Sequence, residues 1–420
     1  MHPNAKWILG KNNLAFMHGP EHKALRKSVL SLFTAKALGV YVSVQDAVLK
    51  RHVDTWLADP ALTGPGRFDE MRDRIRDMNQ ETSQEVFVGP YLPAEARAEF
   101  GMHYRNMTDG FLALPLLVPG TAVWRGMQSR KAVIRMLTKC SAASKERLAG
   151  GGAPACLLDF WVEFLVGEAA SCAAAGKPPP KHGEDVAVAD VIMDFLFASQ
   201  DASTASLTWI AALMCDHPVV AARIRAEVEA VRPGCGREGA QPLDGDTLYA
   251  MTYTRQVVKE TLRFRPAAPM IPQMAAVDFV VAEGVVAPKG SLVIPSLTAA
   301  VWSGQAAADS DKFDPDRMGA ERGEESRHAK HFLTFGAGPH ACLGYQCVRL
   351  RPSVLRLTEC AGMPSTTSLH LLRGLRFRWT WSAGALQSPT SFCTCLPYIP
   401  LTACWPCVRW FQNVTPKVSV

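Results

Sequence analysis

The longest run of apolar positions extends from Val186 to Asp216 and stops at His217-Pro218, because proline disfavours helix in the residue before it. As one helix, those roughly 30 residues reach about 45 Å at 1.5 Å per residue. Polar residues interrupt the run midway, at Ser199-Gln200-Asp201-Ala202-Ser203-Thr204. They would be costly in a membrane span, and in a helix buried on all sides they need a reason. Serine and threonine can bond back to a carbonyl one turn earlier and bend the helix. Two readings stay open: an internal polar kink, or a cavity wall in which Asp201 handles protons.

Helical spacing dominates the flanks. Gly19 to Lys27 starts with Pro20 in the first turn, where its missing N–H costs nothing. Residues 41 to 149 keep helical periodicity, with breaks at Gly64-Pro65-Gly66 and Gly89-Pro90. Within them Arg130 to Arg147 reads as a basic amphipathic helix ended by Gly150-Gly151-Gly152. Gly176 to Asp185, with three prolines in a row, is an exposed linker. Val219 to Val231 and Tyr249 to Phe264 predict two more helices, separated by a loop at Pro233 to Pro242. Pro266, Pro269 and Pro272 then impose an extended path, since each ring fixes φ. Val277 to Val286 and Gly290 to Ser296 read as short strands around the turn Pro288-Lys289-Gly290. The pattern predicts a mainly α protein with a small β region.

Composition narrows this. With 48% hydrophobic and 20% charged residues, the 420-residue chain can build a large core. A net charge of +6 without a dense basic stripe argues against a nucleic-acid partner. The twelve cysteines lack the spacing of a small secreted scaffold, and Cys140, Cys156, Cys172, Cys215 and Cys235 read as reduced thiols facing the cytosol. Met1 to Leu14 is too polar for a signal peptide, and no run of about 18–20 uncharged apolar residues would cross a bilayer. Phe111 to Trp124, broken by Pro115 and Pro119, reads equally as a segment dipping into a membrane surface or as a buried loop.

The candidate chemistry sits in Phe335-Gly336-Ala337-Gly338-Pro339-His340-Ala341-Cys342-Leu343-Gly344. Gly336 and Gly338 allow positive φ or close approach to a bulky group. Cys342 stands just before a helix start at Leu343 to Leu350, where a helix N-terminus and its amides stabilise a thiolate. Those conditions suit haem iron; a plain glycine turn with an ordinary buried cysteine is the alternative. His22 and Arg26 share a face on a helix that also carries Lys23 and Lys27. That face is either solvated or an anion site for a cofactor carboxylate. Glu260 and Arg263 pair at i, i+3, and Phe313-Asp314-Pro315-Asp316-Arg317 forms a turn with an arginine.

In this order, these elements resemble the cytochrome P-450 superfamily of haem-thiolate monooxygenases. Its signature F-x-x-G-x-[R/H]-x-C-x-G is filled by Phe335, Gly338, His340, Cys342 and Gly344. The resemblance implies the P-450 fold and haem b, iron protoporphyrin IX with an axial thiolate. It makes Cys342 the iron ligand and puts Phe335 and Gly336 at the cofactor. His340, Arg26 and His22, the last in a place usually held by tryptophan, would meet the propionates. Glu260, Arg263 and Arg317 would form a buried ion network behind the cysteine loop, and Asp201 would be the mid-helix acid beside the oxygen site.

Phe197 to Thr204, Leu116 to Ala122, Pro154 to Trp161 and Gly10 to Leu14 continuing to Arg26 look like the sterol 22-desaturases of plants, algae and fungi. This similarity covers roughly residues 5 to 351. It implies O₂-dependent removal of two hydrogens from a sterol side chain, giving a trans alkene at carbons 22–23, with a related sterol or retinoid hydroxylase as the alternative. Ala202 stands where the superfamily usually has threonine, so Asp201 with Ser203, Thr204 and water is expected to deliver protons. Phe195, Ala198, Ala202, Ala268, Met270 and Ile271 are expected to line the substrate pocket. Electrons would come from NADPH–cytochrome P-450 reductase, docking on Lys23, Lys27, Lys330 and Arg349. The setting implied is the cytosolic face of the endoplasmic reticulum membrane.

Residues 1–351 are expected to be a partial P-450 haem domain lacking the family's anchor, first helix and first strands. Residues 352–420 are expected to be an unrelated irregular tail, a product of mis-splicing or read-through; Cys393-Thr394-Cys395 and Cys404-Trp405-Pro406-Cys407 offer a zinc-binding alternative there. Pro352 interrupts the helix behind Cys342, and a chain so cut could also be a fragment unable to hold haem.

Overall fold

The run Val186 to Asp216 forms one 32-residue helix, and the other elements are arranged along it. The computed structural model describes residues 3–59, 71–111, 113–233, 243–302, 309–329 and 332–345, all within the unit Met1–Arg376. Lys330, Arg349, Gly64-Pro65-Gly66, most of the Pro233 to Pro242 loop, most of the Leu343 to Leu350 helix and the tail from residue 352 lie outside the described residues.

In chain order the helices are α1 (Pro3–Leu9), α2 (Gly19–Ser28), α3 (Ala35–Ala58), α4 (Met71–Val88), α5 (Ala94–Phe111), α6 (Ala122–Ala149), α7 (Leu157–Ala174), α8 (Asp185–Asp216), α9 (Pro218–Val231), α10 (Gly245–Ala250) and α11 (Thr252–Phe264). Four short strands follow: β1 (Gln273–Met274), β2 (Phe279–Ala282), β3 (Val285–Ala287) and β4 (Leu292–Val293). Then come α12 (Leu297–Trp302), a 3-10 turn at Pro315–Met318, α13 (Glu324–Arg327) and a 3-10 turn at Gly338–His340. The fold is mainly α with a small β region, as the pattern predicts.

Two apolar clusters make the core, and α8 threads both. Its first half packs Val188, Ile192 and Leu196 with α5, α6 and α7. Its second half packs Leu207, Ile210 and Met214 with α3, α4, α9 and α11. The polar stretch Ser199–Thr204 falls between the clusters, which is the physical reason those residues are tolerated in mid-helix. Neighbours satisfy two of them: Asn79 of α4 donates to the Thr204 hydroxyl at 3.1 Å, and Ser83 meets Ser199 at 3.3 Å, whereas the buried Gln200 Nε2 has no partner among the described residues.

Three sequence expectations change. Tyr249 to Phe264 is two helices, α10 and α11, broken at Met251. The Glu227 carboxylate from α9 accepts from the amides of Tyr253 at 2.6 Å and Thr254 at 2.8 Å. Those amides are free only if a helix begins there. Val277 to Val286 is not one strand either. Gly284, with φ of 72°, turns the chain, and β2 pairs antiparallel with β3. β4 instead pairs with β1, so Pro288-Lys289-Gly290 does not join paired strands. Finally, the Phe111 to Trp124 stretch is not a buried loop. Leu114, Leu116, Leu117 and Val118 are all exposed, Leu114 to 77%.

Candidate functional site

The cysteine loop is closed on itself. The Cys342 amide donates to the Phe335 carbonyl at 2.8 Å, and the Gly336 amide to the Leu333 carbonyl at 2.8 Å. Gly336 and Gly338 have φ of 70° and 73°, the left-handed region where a side chain would be strained. The Cys342 thiol is exposed, and its Sγ lies 3.7 Å from where a Cβ on Gly344 would stand. The Phe335 ring packs edge-on to Tyr345, with centroids 4.8 Å apart.

Helix α2 crosses this loop. The Arg26 guanidinium donates to the Ala341 carbonyl, one residue before the cysteine. His22, one turn earlier on the same face, stacks on His340 with centroids 4.2 Å apart and planes 25° from parallel. Burial first, then the Arg26 cation, pulls His22 below the ordinary imidazole range. His340 is lowered too, by burial and then by its histidine neighbours and Arg26. The structure therefore brings Cys342, His340, Arg26, His22, Phe335 and Gly336 to one loop. Sequence reading missed His18, whose ring meets His340 edge-on; nothing in a local pattern marks an isolated histidine before a helix.

Behind the loop lies a buried ion network. Glu260 has no exposed surface and takes Arg263 in two-pronged fashion, at 2.7 Å to Nε and 2.8 Å to Nη2. It also accepts from Arg317 Nε at 3.1 Å and from the Asp314 amide at 3.0 Å. Arg263 donates onward to the Ser310 and Lys312 carbonyls, and Arg317 to that of Asp309. The three residues do meet, with a fourth that the sequence did not single out. Glu324 accepts from Arg317 Nη1 at 2.8 Å and balances the second guanidinium. An adjacent stripe of α11, Arg255, Val258, Lys259 and Leu262, lines a small cavity with Phe332, Phe335 and Tyr345. One helix thus holds the network on one face and meets the cysteine loop with another.

On α8, Ala198 and Ala202 are exposed and Phe195 is half-buried, three positions along one stripe. Phe195 stacks on Phe87 with centroids 6.1 Å apart. Ala268, Met270 and Ile271 form the segment leading into β1, where Ile271 donates to the Pro295 carbonyl and Met270 bridges Ser296. Asp201 and Ser203 are half-buried. Burial raises the Asp201 carboxyl above its ordinary range, opposed by Arg76 and Arg72 of α4. Thr204 departs from the expected grouping: it is 3% exposed and accepts from Asn79. Two residues along a 3.6-residue turn is about 200°, so its side chain leaves the helix opposite Ala202.

A second carboxylate on α8 escaped the sequence reading. Asp194 accepts from the Leu14 amide at 3.0 Å and from the Asn13 side chain, tying residues 13–14 to α8 two turns before Asp201. Burial pushes its carboxyl up to about 8 despite those two donors.

Known proteins carry the same plan. The family model described as Cytochrome P450 matches residues 5–350. Cytochrome P450 710A2 of Arabidopsis thaliana is 39% identical over 343 residues, which are 82% of this chain and 66% of the plant protein. The chain thus spans just under two thirds of that relative's length. The C-22 sterol desaturase erg5 of Aspergillus fumigatus is 33% identical over 356 residues, 82% of this chain and 67% of the fungal one. Among solved structures, retinoic acid-bound cyanobacterial CYP120A1 superposes with a TM-score of 0.66 at 21% identity, covering 89% of this chain and 75% of its own.

Proposed function

From the premise that the chain belongs to the cytochrome P450 family, we propose that it is a sterol 22-desaturase, introducing a double bond at carbons 22–23 of a sterol side chain. The family's cofactor is haem held through a thiolate–iron bond. The residues present fit that group. The loop offers an exposed thiol on a glycine-permitted backbone, and the buried Nε2 of His22 has no partner of its own. Cys342 would hold the iron, and His22, Arg26 and His340 the propionates. When bound, haem supplies the oxygen-activating redox chemistry.

The chain's own residues then have definite tasks. Glu260, Arg263 and Arg317 keep α11 and the Pro315–Met318 turn in register behind the cysteine loop. Ala198 and Ala202 keep one face of α8 low and apolar, which suits a flat hydrocarbon substrate beside the porphyrin. Phe195, Ala268, Met270 and Ile271 would complete the lining. Asp201, whose carboxyl burial raises above its ordinary range, would hold a proton next to that face, and Ser203 with water would pass it on. Thr204, on the opposite side of the helix, would instead fix α8 to α4 through its bond with Asn79.

The desaturase assignment is supported by the sequence likeness to proteins described as C-22 sterol desaturases in Aspergillus fumigatus and Gibberella zeae, at 33% and 31% identity. Electrons would come from NADPH–cytochrome P-450 reductase, for which the exposed Lys23 and Lys27 offer a basic surface. The setting would be the cytosolic face of the endoplasmic reticulum membrane. Among the described residues no single helix is long and apolar enough to cross a membrane, whereas Leu114 and Leu116–Val118 present an apolar surface. The observation that carries the haem-thiolate part of the reading is the closed Cys342 loop with Arg26 bonded to it. The test is a reduced carbon-monoxide difference spectrum of the full chain, followed by incubation with reductase, NADPH and a side-chain-saturated sterol. A thiolate-type Soret band and a 22,23-alkene product are expected; a band with only hydroxylated product would exclude desaturation.

A further inference from the structure

We propose that His18 is a third histidine of the propionate-binding end of the haem site, joining His22 and His340 beside Arg26. This rests on the haem reading above and adds a residue that lies outside the motifs behind it. His18 is the N-cap residue of α2, with extended backbone (φ −140°, ψ 164°), yet its side chain makes no capping hydrogen bond. The imidazole is not spent on its own helix. Its ring stands edge-on to His340, with centroids 5.2 Å apart and planes at 68°. That same His340 ring stacks on His22. Three imidazoles from two separate parts of the chain therefore cluster where the Arg26 guanidinium reaches the loop.

The cluster can turn several N–H donors toward one place. Each imidazole has an N–H to give, and the guanidinium several. His22 is only 4% exposed and its Nε2 is unpartnered, a state that costs free energy unless a ligand supplies the missing partner. Two carboxylates on a flat ring edge are such a ligand. Charge-assisted N–H bonds to carboxylate are shorter and stronger than neutral ones. His18 is exposed, so it would engage the outer carboxylate oxygens while His22 takes the inner ones.

The full chain, purified free of haem, is titrated with metal-free protoporphyrin IX and with its dimethyl ester, following porphyrin fluorescence. Neither probe contains iron, so Cys342 ligation drops out of the comparison. Wild type should prefer the diacid. His18→Ala should lower the diacid-to-ester affinity ratio by about threefold, as for an exposed polar contact to a carboxylate, with ester binding and melting temperature unchanged. His18→Phe keeps an aromatic ring against His340 but removes the N–H groups, and should lower the ratio as much as alanine does. If His18→Phe keeps the wild-type ratio, or if both porphyrins weaken equally in His18→Ala, the ring only buttresses His340 and the proposal fails. Arg26→Ala should lower the ratio independently. If it does so while His18→Ala does not, His18 is excluded and the haem reading stands. If neither variant changes the ratio, or neither porphyrin binds, both are overturned.

Discussion

Glu260 has no exposed surface and pairs with two guanidinium groups, Arg263 and Arg317, the second of which Glu324 balances. Such a buried network contributes little against an apolar alternative of the same shape, but removing one partner strands a charge. Glu260→Gln keeps the volume and leaves Arg263 unbalanced, so stability should fall by about 3–5 kcal/mol. Urea unfolding of the purified variant checks this, and a loss below about 1 kcal/mol would mean the arginines find water or other acceptors. Asp194 makes the opposite case. Its folded-state value is raised to about 8, so between about 4 and 8 the folded chain holds a proton that the unfolded chain has released. Stability from this group is present at low pH and is lost as pH rises through that window. Asp194→Asn should flatten the fall in melting temperature between pH 5 and 8, whatever it does to the absolute value. On the proposed desaturase reading, Asp201→Asn should keep sterol binding, seen as a spectral shift, and lower product formed per NADPH consumed roughly tenfold or more, the scale of a lost proton-transfer group. Unchanged coupling would remove Asp201 from proton delivery.

Among the elements, α11 depends at its start on a partner from another helix. Its first amides are held by Glu227 of α9, and Thr254 adds its hydroxyl to the same carboxylate at 2.7 Å. A capping side chain typically contributes about 1 kcal/mol. Glu227→Ala should therefore cost about that much and speed hydrogen exchange at Tyr253 and Thr254 before the rest of the helix; uniform protection would show that the cap is dispensable. This contact also explains why the sequence reading ran Tyr249 to Phe264 together. Periodicity continues across Met251, and the residue that stops it is supplied by another helix. The β segments fail in the same way: β-propensity was visible in Val277 to Val286, but the turn at Gly284 and the pairing of β4 with β1 depend on which strands come together.

At the scale of the molecule, α8 joins two apolar clusters, so neither can lose its half of that helix without disturbing the other. Leu196→Ala in one cluster and Leu207→Ala in the other should each cost about 2–5 kcal/mol. Both should shift a single unfolding midpoint shared by far-ultraviolet circular dichroism and tryptophan fluorescence, since Trp161 lies in one cluster and Trp56 in the other. Two separated transitions would show that the clusters unfold independently.

Sequence alone was enough for the helices with long uninterrupted spacing, for the glycine loop with its single cysteine, and for the pairing of Glu260 with Arg263. Each is set by local chemistry: periodicity, backbone freedom, or side chains one turn apart. Tertiary structure decided the rest. It put Ser199–Thr204 between two cores, turned Thr204 toward Asn79, added Glu324 to the ion network, and gathered His18 and His22 around His340. Those contacts join residues from 7 to more than 300 positions apart. Which distant groups satisfy a buried donor or charge depends on packing, and no local pattern records it.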